Sequence, residues 1–129
     1  MKASLAAICL ALVLPACATP PAPVTIDALI GEARCEQQAQ CRTIGVGAKP
    51  CGGPAAYRAW STRDTDEKAL RRVVEQQAQA QREADAKQGL RSNCAIVPDP
   101  GAICAARAGD GIKTCQLLRA APGGAGRAD

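Results

Sequence analysis

The spacing of the cysteines limits this chain more than any other feature. Six of them fall into two trios, Cys35, Cys41, Cys51 and Cys94, Cys104, Cys115, separated by a C-x42-C gap. Three is odd, so neither trio can close on itself. At least one crosslink must cross the gap, and one cysteine of the first trio is expected to reach Cys94. An even set of six reads as three disulfides formed in an oxidising compartment. The remaining spacings, C-x5-C, C-x9-C, C-x9-C and C-x10-C, are all longer than the C-x2–4-C that places thiolates around zinc. They also exclude a redox C-x-x-C, so no metal and no cofactor is expected.

Composition explains why crosslinks are needed. The chain has 129 residues, enough for one small domain, and the aromatic content is one Trp and one Tyr with no Phe. Tyr57 and Trp60 are therefore read first as core filler, and only second as a binding patch with Arg58 and Arg63. No histidine is present, which removes Ser-His-Asp and Cys-His catalysis. Ser61 and Ser92 lack a G-x-S-x-G or S-x-x-K setting. Cys51-Gly52-Gly53-Pro54 lacks the Lys-Ser/Thr of a phosphate loop and reads as a disulfide-anchored turn. The acids Asp64, Asp66 and Glu67 open a helix, where the dipole explains them. Asp99 and Asp110 sit in turn sequences. A non-enzymatic protein is expected. The net charge of +4 comes without a block of like charges, so nucleic acid is not an expected partner.

The N-terminus is of a different character. Lys2 precedes an uncharged run from Ala3 to Leu14, which as a helix reaches about 18 Å, short of a hydrocarbon core of ~30 Å. Such a run reads as a secretory signal. It ends in Leu14-Pro15-Ala16-Cys17, which resembles the lipobox of bacterial lipoproteins, with an aliphatic residue three before the cysteine and a small one just before it. The resemblance implies cleavage after Ala16, a thioether-linked diacylglycerol on Cys17 and acylation of the new amino group. Cys9, preceded by Ile8 within the run, does not fit and is lost with the signal. Ala18 rather than Asp follows Cys17, which by resemblance to Gram-negative lipoproteins implies the outer membrane, with the protein on its periplasmic face. Ala18 to Pro23 is Pro-rich and extended, a tether of about 3 Å per residue.

The expected organisation is a signal peptide at 1–16, a lipidated cysteine and tether at 17–23, a Cys-rich domain at 24–121 and a disordered tail at 122–129. Within the domain, Val24 to Ala33 carries Ile26, Leu29, Ile30 and Ala33 at helical spacing, with possible continuation toward Gln40. Arg42 to Gly47 reads as a strand, and Ala55 to Ser61 as a strand or a helical turn. The clearest element is a helix over about 65–88, opened by an Asp64/Glu67 capping pair, striped by Leu70, Val73, Val74 and Ala78, and stopped by Gly89. Its second half has only alanine to bury and should project.

Ser92 to Val97 reads as a strand and Pro98-Asp99-Pro100-Gly101 as a turn. Ala102–Ala106 and Ile112–Leu118 flank Ala108-Gly109-Asp110-Gly111 as a hairpin. Centring the loop between Gly109 and Asp110 sets Ile103 opposite Gln116, Ala105 opposite Thr114 and Cys104 opposite Cys115. That register predicts a Cys104–Cys115 disulfide. The fold class is thus α+β: a small disulfide-bonded domain with one long helix and a small antiparallel sheet including a C-terminal hairpin. The functional expectation is a lipid-anchored, non-enzymatic binding or structural module of the cell envelope, its partner a protein or envelope polymer. The alternative is an inhibitor of a protease or lysozyme, with Gly52-Gly53-Pro54 or Pro98–Gly101 as its edge.

Overall fold

A computed structural model describes residues 22–91 and 93–118. The expected signal peptide at 1–16, Cys17, most of the expected tether and the expected tail at 122–129 lie outside the described residues. The elements in order are helix α1 (Ile26–Ile30), a 3-10 turn (Gln38–Gln40), strands β1 (Cys41–Val46) and β2 (Ala56–Ser61), helix α2 (Glu67–Gln88), and strands β3 (Ala102–Ala106) and β4 (Lys113–Leu117). The result is the small disulfide-rich α+β domain expected from the sequence. Its strands form two separate two-stranded antiparallel sheets, β1–β2 and β3–β4. None of the described helices is long and apolar enough to cross a membrane.

Helix α1 is shorter than its apolar spacing suggested. Thr25 caps it by accepting from the Ala28 N–H, and Gly31 ends it at φ 56°. Ala33 also takes a positive φ, 51°, turning the chain into an extended run that bridges at Arg34 to Thr114 of β4. The capping residue of α2 is Asp66, not Asp64: its carboxylate accepts from the Ala69 N–H at 3.0 Å. Glu67 pairs with Arg71 one turn on. Glu83 accepts from Gln79 at 3.2 Å. Gly89 closes the helix in the left-handed conformation at φ 62°, a backbone state that glycine adopts without a Cβ penalty.

The core gathers Ile26 and Ile30 of α1, Ile44 of β1, Trp60 of β2 and Leu70 of α2 around Cys35, Cys41 and Cys115. Leu70 is wholly buried, Trp60 nearly so, and Val73 and Val74 pack at the margin. Trp60 is core filler, as read, although its indole N–H has no partner among the described residues. Beyond Ala78 the helix is exposed except for a half-buried Asp85. One polar side chain ties this half down: Gln81 accepts from the Ala48 N–H at 3.0 Å.

β1 and β2 pair in register from Cys41 opposite Ser61 to Val46 opposite Ala56. Gly45 is required there by close approach, because a Cβ at this position would lie 2.8 Å from the Pro54 Cβ. The C-terminal hairpin has the register centred on its loop, with Cys104 opposite Cys115, Ile103 opposite Gln116 and Ala105 opposite Thr114.

Of the strand expected at Ser92–Val97, the described part, Asn93–Val97, belongs to no strand, and Cys94 within it takes a positive φ of 54° that a pleated strand does not accommodate.

Two outcomes test this packing. Leu70→Ala should lower the unfolding free energy by about 3 kcal/mol, as for fully buried leucines, read by denaturant unfolding with the disulfides intact. Gly45→Ala should also lower it, through displacement of Pro54, whereas Ala84→Gly on the exposed half of α2 should cost only about 1 kcal/mol.

Candidate functional site

Two places in the domain bring unusual groups together. The first is a cluster of sulfurs beneath the C-terminal hairpin. Cys35 bonds Cys104, with a Cα separation of 6.0 Å, and Cys41 bonds Cys115 at 5.3 Å. The third bond joins Cys51 and Cys94 at 5.3 Å, so a cysteine of the first trio does reach Cys94.

The expected Cys104–Cys115 disulfide is absent although the register that suggested it is present. The Leu118 N–H donates to Gly101 O and the Arg107 N–H to Ile112 O. Counting inward from these two hydrogen-bonded pairs makes Cys104 and Cys115 a non-hydrogen-bonded pair, the closer kind. Their sulfurs bond instead to the chain that crosses the same face. Residues 33–35 pair with the outer edge of β4: Cys115 N–H donates to Ala33 O at 2.8 Å, and Cys35 N–H to Lys113 O at 3.1 Å. The chain then reaches the outer edge of β3, where the Gln38 side chain stands in for a strand. Its amide donates to Ala102 O at 2.7 Å and accepts from Cys104 N–H at 3.0 Å. This strap hangs Cys35 and Cys41 over the hairpin and joins each to the cysteine on the opposite strand.

The Sγ atoms of Cys35, Cys41 and Cys104 consequently all lie within 4.8 Å of one another. All three are in S–S bonds, and a metal would require them as thiolates.

The second place is the segment from Asn93 to Gly101, held at both ends. Cys94 sits at φ 54° and is bonded to Cys51 in the turn after β1. That turn is closed by Gly52 N–H to Lys49 O at 2.9 Å and Lys49 N–H to Gly53 O at 3.1 Å, the disulfide-anchored turn read from Cys51-Gly52-Gly53-Pro54. The Lys49 ammonium donates to Ala95 O, and Ala95 N–H donates to the Asn93 side chain. At the far end Asp99 accepts from the Thr43 hydroxyl at 2.6 Å and from Gly101 N–H at 2.8 Å.

Between these anchors Ile96 is 90% exposed. Among the described residues, the backbones of Ile96 and Val97 make no hydrogen bond. With the Cys51–Pro54 turn, residues 94–97 border a shallow cleft. The sequence placed a candidate edge on either side of this segment, at Gly52–Pro54 and Pro98–Gly101. The exposed Ile96 itself was missed, because its β-branched neighbours suggested a paired strand.

The acids take structural roles, although Asp64 is not the helix cap expected of it. Asp66 caps α2, Asp64 lies 3.5 Å from Arg63 and Asp110 accepts from Arg107 at 3.0 Å. The hydrogen bond from Thr43, and then that from Gly101, hold the Asp99 carboxyl below its ordinary pKa. Asp110 is lowered by its Arg107 hydrogen bond first and by Ile112 N–H next. Tyr57 is half-buried, and Arg58 pairs with Asp27 while Arg63 pairs with Glu36 at 2.9 Å, so these do not form a shared patch.

Comparison with known proteins gives no match: no family model, curated protein or solved structure is significantly similar to this chain.

Because the Asp99 pKa is depressed in the folded protein, its contribution is present above the ordinary carboxylate pKa and is lost as pH falls through the folded value. NMR titration should place the Asp99 midpoint below that of a free aspartate, and Thr43→Val should move it upward. An unmoved midpoint in Thr43→Val would mean that the hydroxyl does not hold the carboxylate in solution.

Proposed function

We propose that this protein is an exported lipoprotein, anchored through a lipid on Cys17 to the periplasmic face of the outer membrane, whose domain is a non-enzymatic binding module. The observation that carries the export reading is the pairing of all six domain cysteines into three disulfides, a state kept in oxidising compartments and lost in a reducing cytosol. The lipobox-like Leu14-Pro15-Ala16-Cys17 and the Pro-rich stretch after it support anchoring. Two or three acyl chains on one cysteine hold a protein firmly where a single chain holds it marginally. The partner is a protein or envelope polymer.

The binding reading draws on the 94–99 segment. Ile96 and Val97 offer backbone N–H and C=O groups that make no hydrogen bond among the described residues, the kind of edge that peptide clefts recognise by adding a strand, with side-chain pockets giving specificity. Fixing both ends beforehand lowers the ordering cost of association. The same feature favours a second reading, inhibition of a periplasmic protease or lysozyme, with Ile96 entering an aliphatic pocket.

Metabolic labelling with a fatty-acid analogue should mark the wild-type protein and leave Cys17→Ala unmarked; equal labelling of both overturns the anchoring. The second reading is separated by assay of the full chain against serine proteases and lysozyme. Inhibition lost in Ile96→Asp supports it. Uninhibited enzymes exclude it and leave the binding module as the function, while inhibition unchanged in Ile96→Asp removes Ile96 as the inhibitory edge.

A further inference from the structure

The connectivity carries a consequence for how the domain is made. Numbered in chain order, the six cysteines pair first with fifth, second with sixth and third with fourth. Two of these bonds close separations of 69 and 74 residues. Local alternatives lie much closer: Cys35 and Cys41 are six residues apart, and Cys104 and Cys115 are eleven apart and face each other across a hairpin. Loop-closure entropy favours the near pairs whenever oxidation precedes folding.

The consecutive set, Cys35–Cys41, Cys51–Cys94 and Cys104–Cys115, differs from the native set by one exchange of partners between two bonds. The three sulfurs that this exchange must bring together, those of Cys104, Cys35 and Cys41, are the three that lie within 4.8 Å of one another in the folded domain.

We propose that the domain matures as a substrate of a thiol–disulfide isomerase, which converts a consecutively paired precursor, containing Cys35–Cys41 and Cys104–Cys115, into the native crossed pair. The isomerase thiolate attacks Cys115 Sγ, forming a mixed disulfide and releasing Cys104 as thiolate. Cys104 attacks Cys35 Sγ, which breaks Cys35–Cys41, forms Cys35–Cys104 and releases the Cys41 thiolate. Cys41 attacks Cys115 Sγ in the mixed disulfide, forms Cys41–Cys115 and returns the isomerase thiolate. Two protein disulfides enter and two leave, so no oxidant or reductant is consumed. Folding drives the exchange toward the crossed pair. Gln38 on the edge of β3 and residues 33–35 on the edge of β4 hold the strap over the hairpin, and Cys35, Cys41 and Cys115 are then buried in the core. Cys51–Cys94 is shared by both sets and needs no exchange.

The proposal rests on the export reading, and its test separates the two. The full chain is expressed in a bacterial host with and without its periplasmic disulfide isomerase. Free thiols are blocked with an alkylating agent, and the protein is digested with trypsin without reduction. Peptides 35–42, 43–58, 92–107 and 114–119 follow from the Arg and Lys positions. Native pairing keeps all four joined. Consecutive pairing frees 35–42 as a peptide closed by its own disulfide.

We expect the joined set in the complete host and released 35–42 in the isomerase-deficient one, with the loss reversed when the isomerase is restored. Native pairing formed equally in both hosts overturns the proposal while leaving export intact. Fully alkylated cysteines in the complete host overturn the export reading and this inference with it. The double variant Cys35→Ser/Cys41→Ser removes the exchange partners and should leave Cys104 bonded to Cys115. Two alkylated thiols at those positions would count against the precursor even if the variant fails to fold.

Discussion

The crossed pair of disulfides between residues 35–41 and the C-terminal hairpin is the constraint on which the rest of the domain depends. The hairpin is two five-residue strands, too little to stand alone in water. The β1–β2 sheet, with six-residue strands, is little larger. Among the described residues Trp60 is the one aromatic side chain in the core. Small domains in this position use covalent staples in place of a larger core. Here Cys35, Cys41 and Cys115 are themselves core residues, packed with Ile26, Ile30, Ile44, Trp60 and Leu70. The sulfurs act as apolar filler and as crosslinks at once.

The two sheets have different relations to the staple. β1 begins at Cys41, so its first residue is bonded to β4 while its side is paired with β2. That single residue connects both sheets, and α2 follows β2 closely enough to lay Leu70 over the joint. The more distant half of α2 has no such contact and is fastened through Gln81. The 94–99 segment is held by a separate bond, Cys51–Cys94, and by Lys49, Thr43 and Asp99. Its exposure is therefore compatible with a fixed shape, because what fixes it lies outside the core.

What the sequence made legible was local. The α2 helix, its Gly89 stop and the hairpin register follow from residue periodicity and from a four-residue loop between two short runs. That at least one bond crosses between the trios follows from parity alone; that all three cross does not. The pairing of Cys104 and Cys115 was not legible, because it depends on what lies over the hairpin. That is decided by Ala33 at a positive φ and by a glutamine side chain imitating a strand, neither of which has a sequence pattern. The cap of α2 shifted from Asp64 to Asp66 for a similar reason: Ser61 and Thr65 are already bonded to each other through the turn after β2, which delays the helix by one acid. The Ile96 segment was misread because β propensity describes a residue's fit to a neighbouring strand, and no strand was there to pair with.

The covalent network also decides how the domain responds to force. A pull on the N-terminus travels through the chain until it meets Cys35, and from there it reaches Cys115 by two routes, residues 36–41 with the Cys41–Cys115 bond and the Cys35–Cys104 bond with the hairpin. On the N-terminal side, the residues before Cys35 can peel away. These include α1, held by the packing of Ile26 and Ile30 and by the exposed Asp27–Arg58 pair, so the first yielding step is the loss of that short helix from the core. Beyond it, the chain between Cys41 and Cys104 is bypassed by the crosslinks and carries little of the load. A molecule loaded from its N-terminal end would lengthen by about one short segment and then stiffen, with both sheets and the 94–99 edge still in place.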